Sequence, residues 1–355
     1  MRRFEHGGNV YAHPGALDFS ASLNPLGMPP LARRALVEGV DVFEHYPDPA
    51  CQELTDAIAR FEGVGKGEVL ACAGATDAFA RICSAVRPRR ALTCAPCYSG
   101  YEQACVQAGV DLTWHELCCE DGYLLTERFA ERIEEGVNLV FVANPNNPTG
   151  LRAKEEVIRS CLERAREVGA LVVLDECFVD LAGGHGSNAL LGEFPNLVIV
   201  KALTKTYALA GLRVGYALCS DGGLLSALRD AGQPWAVSVP AQLAGVASLQ
   251  DVGYLAKSQE LVAGERARLG EALQALGLHV LPSDANFLLF EGPEGLHGQL
   301  LRCKILIRSC DNFRGLDSRW YRIAVRRPEE NDLLVRALER LLRGGTEDKT
   351  GGGDA

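Results

Sequence analysis

Thr204-Lys205-Thr206-Tyr207-Ala208-Leu209-Ala210-Gly211-Leu212-Arg213-Val214-Gly215 follows the apolar run Leu197-Val198-Ile199-Val200. The β-branched content of that run predicts a buried strand. Lys205 then falls just past a strand end, where a side chain faces a crevice, and an amine beside apolar sequence loses its proton at low cost. A neutral amine is what a Schiff base requires. Arg213 opens the next apolar run and suits a bidentate grip on an anionic group. On spacing alone, a surface lysine after a strand is the commoner reading, so the rest of the chain has to decide.

Upstream, the pattern alternates apolar strand and amphipathic helix. Segments 68–72, 91–95, 137–143, 171–174, 197–200 and 212–219 read as strands, with helices over 75–86, 98–108 and 154–168 between them. Crossovers of this length build an α/β, mostly parallel central sheet with helices on both faces. Ligands of such sheets bind beyond the carboxyl ends of the strands. Helices are also expected near 31–37 and from Cys51. A long amphipathic helix over 254–276 leads to strands at 286–290, 305–308 and 321–325 and a last helix over 329–342, a smaller α+β domain. The expected division is a large domain over 31–236, a small domain of 237–343 joined by an N-terminal arm over 1–30, and a disordered Gly-rich tail over 344–355.

Composition narrows the class. At 355 residues, with 47% apolar and 23% charged content, the chain suits a globular protein of one large and one smaller domain. No apolar run reaches the roughly 18 residues of a membrane span, and the opening Met1-Arg2-Arg3-Phe4-Glu5-His6 lacks the apolar stretch of a signal peptide, so a cytoplasmic location is expected. The net charge of −10 argues against nonspecific nucleic-acid binding. Thirteen cysteines, an odd number, read as reduced thiols in the core. Cys94-x-x-Cys97 with His115-x-x-Cys118 has pair spacings a zinc site uses, but core thiols fit the same positions, and no metal is expected.

Chemistry-bearing residues recur at the strand ends. Gly74-Ala75-Thr76-Asp77 joins a strand to a helix, so its backbone N–H groups and the Thr76 hydroxyl can hold a phosphate. Tyr98, at the next such junction, can stack on a flat heterocycle or close the edge of the core. Asn144-Pro145-Asn146-Asn147-Pro148-Thr149-Gly150 is a rigid loop suited to aiming the Asn147 amide. Asp175 ends Leu171-Val172-Val173-Leu174, where a carboxylate needs a partner or must be neutralised; a helix cap is the other reading.

In this order and spacing the set resembles the pyridoxal-phosphate enzymes of the aspartate aminotransferase fold, from His6 to about Leu342. The resemblance implies pyridoxal 5'-phosphate as cofactor, Lys205 as its Schiff-base lysine and Asp175 as partner of the pyridine nitrogen. It also implies Asn147 near the ring oxygen, Tyr98 on the ring face, and the Gly74-Ala75-Thr76 turn, Thr204 and Arg213 around the phosphate. Tyr46 would reach the cofactor of a neighbouring subunit, which implies a homodimer.

Two features resemble a narrower group. His6-Gly7-Gly8-Asn9 with Asp18-Phe19-Ser20-Ala21-Ser22-Leu23-Asn24-Pro25-Leu26-Gly27, and Ile305-Leu306-Ile307-Arg308 with Tyr321-Arg322-Ile323-Ala324-Val325-Arg326, are similar to the threonine-phosphate decarboxylases of cobalamin biosynthesis. That group implies a small phosphorylated amino acid as substrate, held by His6, Asn147, Arg308 and Arg322, and loss of its carboxylate as carbon dioxide. Histidinol-phosphate aminotransferases share Tyr46-Pro47-Asp48-Pro49 and the lysine segment, so aminotransfer is the alternative; a cofactor-binding regulator without turnover is a more distant one. Phe178 stands where those aminotransferases commonly carry tyrosine, which favours the decarboxylases. Ala202 replaces the group's usual phosphate-binding serine, and Lys201 stands where the decarboxylases tend to have arginine.

Overall fold

A computed structural model of the chain describes residues 6–184 and 186–344. Met1–Glu5, read above for targeting signals, and nearly all of the expected tail lie outside the described residues; Gly344 closes the last helix, Pro328–Gly344.

Strand β1 (Leu17–Asp18) belongs to the arm and is followed by helices Pro30–Glu38 and Gln52–Glu62. The main sheet then takes β2 (Val69–Cys72), β3 (Arg90–Ala95), β4 (Asp111–Glu116), β5 (Leu139–Ala143), β6 (Leu171–Asp175), β7 (Leu197–Ala202) and β8 (Gly215–Leu218) in the order β2-β8-β7-β6-β5-β3-β4. Strands β3 to β7 pair in parallel, whereas β8 runs antiparallel to both β2 and β7. The sheet is therefore mixed by one reversed strand, and six of its seven strands share one direction. Strands β5, β6 and β7 are buried at every position, as their unbroken apolar runs require of strands covered on both faces.

The reversed β8 matters for the site. Because it runs against its neighbours, Arg213 at its start lies at the same sheet edge as the carboxyl ends of β2, β6 and β7. The expected strand from 212 begins only at Gly215, since Ala210–Leu212 is a 3-10 turn and Arg213 is left-handed at φ 59°. Edge strand β4, with its half-exposed residues, was not expected from the sequence.

The second sheet is antiparallel: β9 (His279–Val280), β10 (Phe287–Glu291), β12 (Arg308–Ser309) and β13 (Trp320–Ala324) in the order β12-β13-β10-β9, while β11 (Ile305–Leu306) pairs with β1 in parallel. Leu288, Phe290 and Ile323 of this sheet pack with Leu269 and Leu273 of the long helix Val252–Ala275 and with Leu334 and Leu338 of the last helix. Phe19 of the arm is in the same core, whereas Leu26 and Met28, further along the arm, pack on the main core. The segment from 237, placed by the sequence in the small domain, opens with a helix, Val239–Leu249, that packs Ala241 and Ala244 into the main core.

Candidate active site

Between the two units lies a cavity of about 420 Å³. Its wall takes Ala75 and Thr76 after β2, Tyr98 after β3, Asn147 after β5, Asp175 at the end of β6, and Thr204 and Lys205 after β7. Arg213, His6, Arg308 and Arg322 complete it. Gly74 lies behind this wall, and Tyr46 lies elsewhere: it is 79% exposed, with its ring 4.7 Å from that of Trp235.

Lys205 sits in a one-turn helix, Leu203–Thr206, that caps β7. Burial, with Arg322 next in effect, lowers its amine from 10.5 to about 8. Burial costs the ammonium its hydration, and two guanidiniums repel it, so the neutral amine is populated near neutral pH.

Asp175 is buried, and burial raises its carboxyl above the ordinary value. Opposing that rise, the Tyr101 hydroxyl donates to Oδ2 at 2.6 Å and the Cys177 backbone N–H to Oδ1 at 3.0 Å. Tyr101 was not foreseen. Its only sequence signal is its place one helical turn beyond Tyr98, and its hydroxyl is fixed by a fully buried ring stacked on Phe141 at 5.0 Å. The second reading of Asp175, a helix cap, is not what the structure shows: its partners are a phenol and the N–H two residues on.

The anion-binding end is built by close approach. Gly74 has φ 83°, and a Cβ there would lie 2.8 Å from Nη2 of Arg213. Glycine therefore lets the guanidinium reach the start of helix Ala75–Val86, whose first N–H groups face the same place. The Tyr98 ring occupies the space a side chain at Gly100 would fill, with a Cβ only 2.1 Å from its edge. Ala202 lines the cavity without a hydroxyl to offer.

On the facing wall, Arg322 of β13 is buried under the Phe287 ring, 5.2 Å from its centroid. Its Nη1 donates to Oδ1 of Asn147 and its Nη2 to the Ser20 carbonyl at 2.9 Å. Its buried Nε has no partner among the described residues. Burial holds this guanidinium down at about 10. Arg308 lies over the Phe313 ring at 5.2 Å and donates to Asn312 at 2.6 Å. His6 sits at the mouth, 5.6 Å from the Tyr98 ring; partial burial, then Arg308, Lys205 and Arg322, lower its pKa. Phe178 packs edge-on to Phe287 at 5.0 Å.

Lys201 is outside the cavity. Its Nζ lies 2.8 Å from Glu62 Oε2 and 3.8 Å from both Glu176 and Asp180, a buried cluster behind the lysine turn. Cys94 and Cys97 are buried in the main core, and no group of three metal-ligating side chains occurs among the described residues. No described helix is long and apolar enough to cross a membrane.

The chain matches the family described as aminotransferase class I and II over residues 15–338. It is 36% identical over 352 residues to the threonine-phosphate decarboxylase of Salmonella typhimurium, covering 96% of this chain and 97% of that protein. Among solved structures it is similar to the histidinol-phosphate aminotransferase of Clostridium acetobutylicum (TM-score 0.87, 27% identity, 92% of this chain and 99% of that one). It is also similar to the L-threonine-O-3-phosphate decarboxylase of Porphyromonas gingivalis (TM-score 0.81, 27% identity, 92% and 99%). The chain belongs to the aminotransferase class I and II family, as a pyridoxal-phosphate-dependent enzyme related to the threonine-phosphate decarboxylases and histidinol-phosphate aminotransferases.

Proposed function

We propose that the protein decarboxylates L-threonine O-3-phosphate to (R)-1-amino-2-propanol phosphate, a step of cobalamin biosynthesis. The observation that carries this reading is the pairing of two guanidiniums, Arg308 and Arg322, with His6 on the wall facing Lys205. A substrate bearing both a carboxylate and a phosphate matches that wall. The decarboxylase relative, similar over nearly its whole length, supports the same choice.

The residues present fit pyridoxal phosphate. The Gly74 cradle with Arg213, Thr76 and Thr204 suits its phosphate, and Tyr98 offers a ring face beside it. When bound, the cofactor supplies an electron sink for the pair left by a bond broken at the substrate's Cα. Asp175, oriented by the Tyr101 hydroxyl and the Cys177 N–H, would hold a pyridine nitrogen protonated. Lys205 would hold the cofactor through its neutral amine and return a proton to Cα. Arg308 and Arg322 would grip the two anionic ends and so choose which Cα bond is aligned for cleavage. Phe178 has no hydroxyl to give the cofactor, unlike the tyrosine usual in the aminotransferases.

In this reading Tyr46 serves the cofactor phosphate of a second subunit in a homodimer. Its exposure, with Val37 at 71% and Val40 at 56% on the same stretch, supports an apolar contact there. All thirteen cysteines are free thiols, which suits the cytoplasm.

The test is carbon dioxide release from phosphothreonine by the purified protein with pyridoxal phosphate and no oxo-acid. Release with stoichiometric amine product supports the reading. Turnover only with 2-oxoglutarate, which histidinol-phosphate aminotransferase relatives make the main alternative, overturns it.

A further inference from the structure

The turn that carries Lys205 is too short to hold itself. Leu203–Thr206 is a single helical turn, so its last carbonyls have few partners of their own. Within the segment Lys205 O accepts from the Tyr207 N–H and, at a long 3.3 Å, from Ala208 N. The rest comes from the other end of the chain. Asn24 donates its backbone N–H to Lys205 O at 3.1 Å and its Nδ2 to Thr206 O at 2.7 Å.

Asn24 is itself fixed on every side. Nδ2 also donates to Ser258 Oγ of the long helix Val252–Ala275 at 2.8 Å, and Oδ1 accepts from Leu26 N at 2.9 Å, closing the Asn24-Pro25-Leu26-Gly27 turn. The residue is 3% exposed. A buried amide bonded through both its nitrogen and its oxygen has one orientation, and whatever it holds is held in register. Thr206 adds a bond from its own hydroxyl to Asp180 at 3.0 Å, so the turn is gripped from two directions.

We propose that Asn24 is a positioning residue for Lys205: it is an end cap supplied from the N-terminal arm that keeps the lysine turn pressed into the cavity. This rests on the reading of Lys205 as the cofactor-bearing lysine. The groups acting on its amine are Arg322, Arg213, Asp175 and Cys177, and their effect depends on where the turn places Nζ. Without the cap the turn loosens, water reaches the amine, and the amine behaves more like an ordinary lysine.

The experiment uses the full-length chain, first free of cofactor, with Lys205 labelling by an amine reagent followed by mass spectrometry across pH. The unaltered protein should label with a midpoint near 8. Asn24→Ala should move it upward by about 0.5 pH unit or more. Arg327→Ala is the control, because Arg327 donates to Pro25 O and Leu26 O of the same arm turn without touching the lysine turn. It should lower the melting temperature and leave the midpoint within about 0.2 unit of the parent.

If Asn24→Ala does not fold, Ser258→Ala, which removes one anchor of the amide, should give a smaller shift in the same direction. An unchanged midpoint in the folded variant, or one that moves no more than in Arg327→Ala, overturns the proposal. With pyridoxal phosphate added, the pH midpoint of the imine colour should shift in parallel in Asn24→Ala. Absence of that colour in the unaltered protein would count against the cofactor role of Lys205, whereas the labelling result bears on Asn24 alone.

Discussion

Nη1 of Arg322, on a strand of the small sheet, donates to Oδ1 of Asn147, on the loop after β5 of the large one. The same guanidinium holds the arm through the Ser20 carbonyl. One side chain thus joins both units and the arm at the point where substrate is proposed to bind. Arg322→Ala should lower kcat/KM by roughly 10²–10³, the scale of a lost charge-assisted pair in a dry site. Asn147→Ala should cost less, and the double variant less than the sum, because both remove one shared contact. Steady-state rates on phosphothreonine for the three proteins decide this; strictly additive losses would show that the contact carries no coupling.

Gly74→Ala tests the anion cradle. The substitution puts a side chain at φ 83° and a methyl 2.8 Å from the Arg213 guanidinium. Strain alone costs about 1 kcal/mol, and displacement of Arg213 adds to it. The dissociation constant for pyridoxal phosphate, followed by absorbance, should rise by about tenfold or more. Unchanged affinity would mean that Arg213 does not need this approach.

Tyr101→Phe removes the 2.6 Å bond to Asp175 Oδ2 and leaves that oxygen buried. A hydrogen bond to a buried carboxylate contributes about 1.5–3 kcal/mol. Asp175 should then ionise less readily, cofactor affinity should fall by about tenfold, and the far-ultraviolet circular dichroism should be unchanged. Equal affinity in the two proteins would remove Tyr101 from the account.

The Lys205 amine gives a pH dependence with a defined sign. Its pKa is about 8 in the folded, cofactor-free chain against an ordinary 10.5, so the unfolded chain binds the proton more tightly. Below pH 8 the full cost of burying the cation opposes folding, and that cost fades as pH rises from 8 to 10.5. Lys205→Met should therefore stabilise the cofactor-free protein at pH 7 by on the order of 2 kcal/mol. The gain should shrink toward pH 10, as read by urea melts at both values. A gain that grows with pH would contradict the lowered amine.

Much of this was legible where chemistry and pattern coincide. The Leu197–Val200 run is buried on both faces, so it reads as a strand whatever its partners, and Lys205 and Arg213 follow from it. Edge strand β4 was not legible, because only one neighbour pairs with it and its half-exposed residues carry no clear apolar run. The same holds for helix Val239–Leu249: its Ala-rich sequence lacks the polar face that marks an amphipathic helix. Within the site, the residues themselves were visible but their supports were not. Tyr101 under Asp175 and Asn24 under the lysine turn act through contacts 74 and 182 residues apart in sequence, which no local pattern encodes.

The most direct measurement is to reduce the protein with borohydride in the presence of pyridoxal phosphate and map the modified peptide. Two lysines stand four residues apart: Lys205 in the cavity with a lowered amine, and Lys201 buried among Glu62, Glu176 and Asp180, which hold it charged. The account predicts the pyridoxyl group on Lys205 alone, with none retained in Lys205→Ala. A pyridoxyl group on Lys201 or on any other lysine, or its retention in Lys205→Ala, would contradict it.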